Sequence, residues 1–228
     1  MKYPYLLFDA DDTLFDFPKA SVKAFAIMCE SNGIPHTPEV YQLYHEINRV
    51  LWDAFDRGEV TKEYVTLERY VRFLNALELQ YRDPAKCNRD YLTALGQGVY
   101  PLPHAEEVCR TLAARGHKLY IVTNAVASVQ RNRLKNSVFA ELICEAFISE
   151  DAGASKPDKA YYDYVRSRIP ELTGQNCLVI GDSQATDMRG ANNAGLPCCW
   201  FNPNGHALRA DVHVDYEISD LRQLLEIV

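Results

Sequence analysis

No run of like charges in the chain reaches five residues, which argues against a basic nucleic-acid arm or an acidic tail. No stretch approaches the ~18 apolar residues of a membrane span. The first apolar stretch, Tyr5 to Phe8, is cut off by Asp9, Asp11 and Asp12. It is too brief and too acidic for the apolar core of a signal peptide, so a cytoplasmic location is expected. The 7 cysteines, Cys29, Cys87, Cys109, Cys144, Cys177, Cys198 and Cys199, are scattered and never spaced as C-x-x-C. Such a pattern suggests neither a disulfide framework nor a zinc site and fits a reducing compartment. Internal repeats and low-complexity tracts are absent as well.

What is present is an ordinary globular composition. Hydrophobic residues make up 47% and charged residues 24% of the 228 positions, enough for a sizeable core. Against ~100–200 residues for a usual domain, the length fits one large unit or one and a half. The 31 acidic and 24 basic side chains give a net charge of −7, which disfavours wholesale binding to a phosphate backbone.

Tyr5-Leu6-Leu7-Phe8 reads as a buried strand whose tip reaches an edge of the sheet. From Pro18 to about Leu95 the apolar residues then recur at helical spacing, as in Val22, Phe25, Ala26 and Cys29, or Val40, Leu43, Tyr44, Ile47 and Leu51. Thr37-Pro38 and Asp83-Pro84 look like N-caps followed by proline, and Gly33 and Gly58 like stops. Beyond the turn region 96–103, helices expected over 105–115, 126–135, 159–168 and 188–194 alternate with strands over 118–122, 146–148, 177–180 and 198–201. A last helix is expected from about residue 219. This alternation predicts an α/β fold with a parallel sheet covered on both faces. Residues 1–16 and 97–228 are expected to form that core domain, and 17–96 an all-helical domain inserted after the first strand.

In open α/β sheets the ligand crevice lies outside the carboxyl ends of the strands, and four such ends carry polar groups. The first ends in Asp9-Ala10-Asp11-Asp12-Thr13, where two carboxylates two residues apart can converge and suit Mg²⁺; a solubilising turn or helix cap is the alternative. Thr123-Asn124 can bind an anion or serve as an ordinary cap. Lys156, followed by Pro157, is either a surface lysine or a fixed point charge for phosphate. Gly181-Asp182 and Asp187 place two more acids at a strand tip and a helix mouth. They can be N-caps, but beside Asp9 and Asp11 they would make a carboxylate nest unstable without a divalent ion.

In this order, Asp9-x-Asp11-x-Thr13, Thr123, Lys156-Pro157 and Gly181-Asp182-x4-Asp187 resemble the four motifs of the haloacid dehalogenase (HAD) superfamily of phosphatases. The helical insertion resembles that superfamily's C1-type cap, and the alternating remainder its Rossmann-like core. Ile148-Ser149-Glu150-x-x-Gly153-x-x-Lys156-Pro157 and Trp200-x-Asn202-Pro203-x-Gly205, with Asp215-Tyr216-x-Ile218, are more specifically similar to the YjjG-type nucleotidases, which act on pyrimidine and non-standard nucleoside monophosphates. The resemblance implies Asp9 as nucleophile and Asp11 as general acid and base. It implies Mg²⁺ held by Asp9, the Asp11 backbone carbonyl and Asp182, with Asp187 supporting the metal from behind, and Thr123, Asn124 and Lys156 around the phosphate. The expected partner is a small phosphorylated metabolite, a nucleoside monophosphate, and not a nucleic-acid polymer or a membrane. Asp12 stands where many members have glycine; aspartate tolerates left-handed backbone, so the turn is expected to survive.

A sugar phosphatase or a phosphotransferase of the β-phosphoglucomutase type would carry the same four motifs. Trp52, Phe55 and the many tyrosines of the insertion could stack on a base or form its helical core. Gly181-Asp182-Ser183 also raises a Gly-Asp-Ser esterase, but such enzymes place the serine near the N-terminus and need a late D-x-x-H, whereas this chain has Asp211-Val212-His213. A non-catalytic binding module would be expected to have lost a key acid, and none is missing.

Overall fold

The computed structural model describes residues 2–228. Six parallel strands, β1 (Tyr5–Phe8), β2 (Lys118–Thr123), β3 (Ile143–Ile148), β4 (Cys177–Gly181), β5 (Cys198–Phe201) and β6 (Tyr216–Ile218), form one sheet in the order β3-β2-β1-β4-β5-β6. Every residue of β1 and β4 is buried, as the unbroken apolar runs require of strands covered on both faces. Alternate side chains divide between the two faces. Leu6, Phe8, Ile121, Leu178 and Ile180 share one core with Val108 and Leu112 of α5 (Ala105–Ala114) and Leu134 of α6 (Ala127–Lys135). Leu7, Val122, Cys177 and Val179 share the other with Tyr161 and Val165 of α8 (Lys159–Arg168) and Ala191 of α9 (Arg189–Ala194).

The chain divides into two compact units, Met1–Phe17 with Val99–Val228 and Pro18–Gly98. The second is built from α1 (Phe17–Asn32), α2 (Pro38–Asp56), α3 (Lys62–Ala76) and α4 (Pro84–Gly96). Its punctuation follows the local chemistry. The Thr37 side chain accepts from the Val40 amide at the start of α2, and Asp83 accepts from the Ala85 amide at 2.8 Å at the start of α4. Gly33 takes the left-handed φ of 60° that lets the chain turn after α1. Phe25, Tyr44, Tyr70, Phe73 and Tyr91 fill the interior, with Phe25 and Tyr44 ring centroids 4.8 Å apart. These tyrosines are helical core. Trp52 and Phe55 are half-buried and pack edge-on against each other at 5.4 Å.

The sheet unit departs from the sequence expectation in four places. β6 is a strand of three residues paired along β5, too short to carry a readable alternation. β3 begins at Ile143, earlier than its apolar end suggests. The helix expected over 188–194 is entered through a π turn, Gln184–Met188, and the one-turn helix α7 (Ser149–Ala152) follows β3 directly. Near the end, Asp220 caps a 3₁₀ turn, Leu221–Gln223, that leads into α10 (Leu224–Ile227). Among the described residues no helix is long and apolar enough to cross a membrane.

Candidate active site

The strand order reverses direction at β1, so the chain leaves on one side toward β2 and returns on the other through β4. Crevices at such switch points are where open α/β sheets bind ligands. Phe8 pairs with Ile121 on one side and Ile180 on the other, so Asp9, Val122 and Gly181 come level at the carboxyl ends. A turn through residues 12–14 follows Asp9, between the bridge residues Asp11 and Phe15. Asp12 adopts φ 59°, its amide donates to the Phe15 carbonyl at 2.8 Å, and the turn forms with aspartate as expected. Burial, then the Asp11 charge, raises the Asp12 carboxyl to about 6.

Asp9, Asp182 and Asp187 each offer a carboxylate oxygen within 4.8 Å of the others. Lys156 reaches into this group. Its buried ammonium donates to Asp9 Oδ1 at 2.5 Å, Asp187 Oδ1 at 2.6 Å and the Val122 carbonyl at 2.8 Å. Burial disfavours that charge, but Asp187 and Asp9 outweigh it and hold the ammonium well above the usual lysine range. Burial, only partly opposed by Lys156, pushes Asp9 up to about 8, and burial with the Asp187 and Asp9 charges also raises Asp182 well above the carboxylate range. With all three carboxyls ionised, one ammonium would leave negative charge uncompensated. The donor set is all carboxylate oxygen, which fits a hard divalent cation.

Local sequence explains how the acids are brought together. Gly181 carries no side chain because a Cβ there would lie 2.3 Å from Asp187 Oδ2. The π turn carries Asp187 back so that its Oδ2 accepts from the Ser183 amide at 3.1 Å. The Asp182 carbonyl accepts from Trp200 Nε1 at 2.8 Å, and its Oδ1 accepts from the Thr13 hydroxyl at 3.4 Å.

Asn124, expected beside the phosphate, bonds the backbone of Lys156 through its side chain. Its amide N–H donates to the Lys156 carbonyl at 2.8 Å and its carbonyl accepts from the Lys156 amide at 2.9 Å, so the side chain clamps the lysine backbone. Thr123 Oγ1 accepts from the Ala125 amide at 3.1 Å, while the Thr123 amide donates to Tyr161 Oη at 2.9 Å. The Tyr161 hydroxyl in turn donates to the Phe147 carbonyl at 2.6 Å, tying β2 and β3 to α8.

A family model of haloacid dehalogenase-like hydrolases matches residues 6–201. The chain belongs to that family. It is 36% identical over 228 residues to the HAD-hydrolase YfnB of Bacillus subtilis, covering 100% of this chain and 96% of YfnB. It is 29% identical to the pyrimidine 5′-nucleotidase PynA of Streptococcus pneumoniae, covering 99% of this chain and 95% of PynA, and 28% identical to the pyrimidine 5′-nucleotidase YjjG of Escherichia coli, covering 100% and 99%. A crystal structure of YfnB bound to magnesium superposes with a TM-score of 0.93 at 35% identity, covering 100% of this chain and 99% of that one.

In this haloacid dehalogenase-like hydrolase the Asp11 carboxylate is not one of the three that cluster. The Asp11 side chain accepts from Arg133 Nη1 on Oδ1 and from Gln130 Nε2 at 2.8 Å on Oδ2. Both partners come from α6, and neither was expected from the sequence. Their signal was a glutamine and an arginine at i and i+3, hence on one helix face, on a helix that starts at a strand tip.

Proposed function

We propose that this hydrolase is a magnesium-dependent phosphomonoesterase that works in the cytoplasm through an aspartyl phosphate on Asp9, with nucleoside 5′-monophosphates as substrates. The observation that carries the reading is the meeting of Asp9, Asp182, Asp187 and Lys156 at the switch point of the sheet.

Asp9 attacks phosphorus and splits one hard hydrolysis into two easier steps. Asp11 protonates the leaving oxygen and then takes a proton from the attacking water. Asp9, the backbone carbonyl of Asp11 and Asp182 would hold Mg²⁺, with Asp187 supporting them, and a bound ion would supply positive charge to offset the repulsion between carboxylate and phosphate and to stabilise the transferring oxygens. The Lys156 ammonium and the Thr123 hydroxyl bind the remaining phosphate oxygens, and Asn124 contributes by fixing the lysine backbone. Residues 17–96 serve as the cap domain.

The nucleotide substrate rests on the two pyrimidine 5′-nucleotidases that align along nearly the whole chain. A panel of nucleoside 5′-monophosphates and sugar phosphates, assayed for released phosphate, tests it. Pyrimidine or deoxynucleoside monophosphates are expected to give the highest kcat/KM. A sugar phosphate preferred over every nucleotide, or transfer between positions of a glucose phosphate without net release, overturns the substrate assignment.

A further inference from the structure

Asp11 is held by a network that has no part in the acid cluster. Its two oxygens both accept, from Arg133 Nη1 and Gln130 Nε2, and both donor residues are fully buried. Gln130 Oε1 accepts from Arg133 Nη1 at 3.4 Å, and Gln130 Nε2 also reaches Thr123 Oγ1 at 3.4 Å. The Arg133 guanidinium lies 4.5 Å from the Phe15 ring centroid, and Phe15 closes the turn that presents Asp11. Burying a guanidinium is costly unless it is well paired. A leucine would fill α6 at less cost, and the carboxylate this arginine meets is the one expected to move protons.

We infer that Arg133 and Gln130 are positioning residues that fix the Asp11 carboxyl for proton transfer. The inference rests on the phosphatase reading above and adds two residues to it. In the first half-reaction an Asp9 oxygen bonds to phosphorus, the bond from phosphorus to the leaving oxygen breaks, and the Asp11 proton goes to that oxygen. In the second, water bonds to phosphorus, one water proton returns to Asp11, and the bond from phosphorus to Asp9 breaks. Precise placement of the carboxyl matters most when the leaving group is a poor one. An alkoxide needs the proton, and p-nitrophenolate departs without it.

The test compares kcat/KM for p-nitrophenyl phosphate with kcat/KM for the fastest alkyl ester of the substrate panel, in wild type, Gln130→Met, Arg133→Met and Arg133→Lys. Because kcat/KM ends at departure of the alcohol, it reports the first half-reaction alone. The ratio of the two values does not depend on how much of a sample is folded. The alkyl-to-aryl ratio is expected to fall about tenfold or more in both methionine variants, part of the ~10²–10⁴ that general acid–base catalysis contributes, with Arg133→Lys recovering some of it. An unchanged ratio overturns the positioning role, even if both activities fall. A wild-type enzyme inert toward both esters removes the phosphatase reading and this inference with it, so the two failures are distinct.

Discussion

The ammonium of Lys156 lies 2.5 Å from the Asp9 carboxylate. It also lies 2.6 Å from Asp187, and all three groups are buried. Lys156→Met therefore leaves two buried carboxylates facing each other with their shared cation gone. Removing one partner of a buried ion pair costs about 3–5 kcal/mol, so the urea midpoint of the variant should drop sharply and phosphatase turnover should be lost. A midpoint equal to wild type would mean that the lysine does not offset these acids.

Gly181 bears on activity through space and not through chemistry. Gly181→Ala puts a Cβ 2.3 Å from Asp187 Oδ2, so the carboxylate must move. A displacement of about 1 Å in a catalytic constellation can cost ~10²-fold in rate, and a loss of that order is expected for Gly181→Ala with p-nitrophenyl phosphate. Full activity in the alanine variant would show that Asp187 can shift without consequence.

The acid cluster also predicts how metal and pH act together on stability. Asp9 ionises near 3.8 when unfolded but is raised to about 8 by burial in the fold. Between those values the folded state binds more protons than the unfolded one, so stability falls as pH rises from about 4 to about 8. The raised Asp182 acts in the same direction. In thermal melts after EDTA treatment, the midpoint should thus decline toward pH 8. Added Mg²⁺ should raise it, by more at pH 8 than at pH 5, because the metal competes with protons for the same oxygens. An increment independent of pH would contradict metal binding by these acids.

Much of this could be read from residue order alone. The unbroken apolar run of β1, the helical spacing of α1 to α4, and the caps at Thr37 and Asp83 are local signals, and each appears in the fold where the chemistry predicts. Asp9, Lys156, Asp182 and Asp187 were legible because each follows a strand or precedes a helix, so topology alone delivers them to one sheet edge. Gln130 and Arg133 were not, because their meaning depends on which way a single face of α6 turns, and that is set by tertiary packing. The π turn at Gln184–Met188 escaped for a similar reason. It lies where Asp187 comes close against Gly181, six residues away, a proximity that only the folded chain creates. Asn124 was legible as a polar residue at a strand tip, but its engagement with the Lys156 backbone is a long-range pairing.

The most direct test of Asp9 as nucleophile is p-nitrophenyl phosphate turnover in the presence of Mg²⁺ by wild type and by Asp9→Asn, with the unfolding midpoint of each recorded alongside. Wild type is predicted to turn over and the variant to lose activity by about 10³-fold or more, since the covalent route closes with the nucleophile, while its unfolding transition stays cooperative. An Asp9→Asn protein that is folded and retains turnover within about tenfold of wild type would contradict the account.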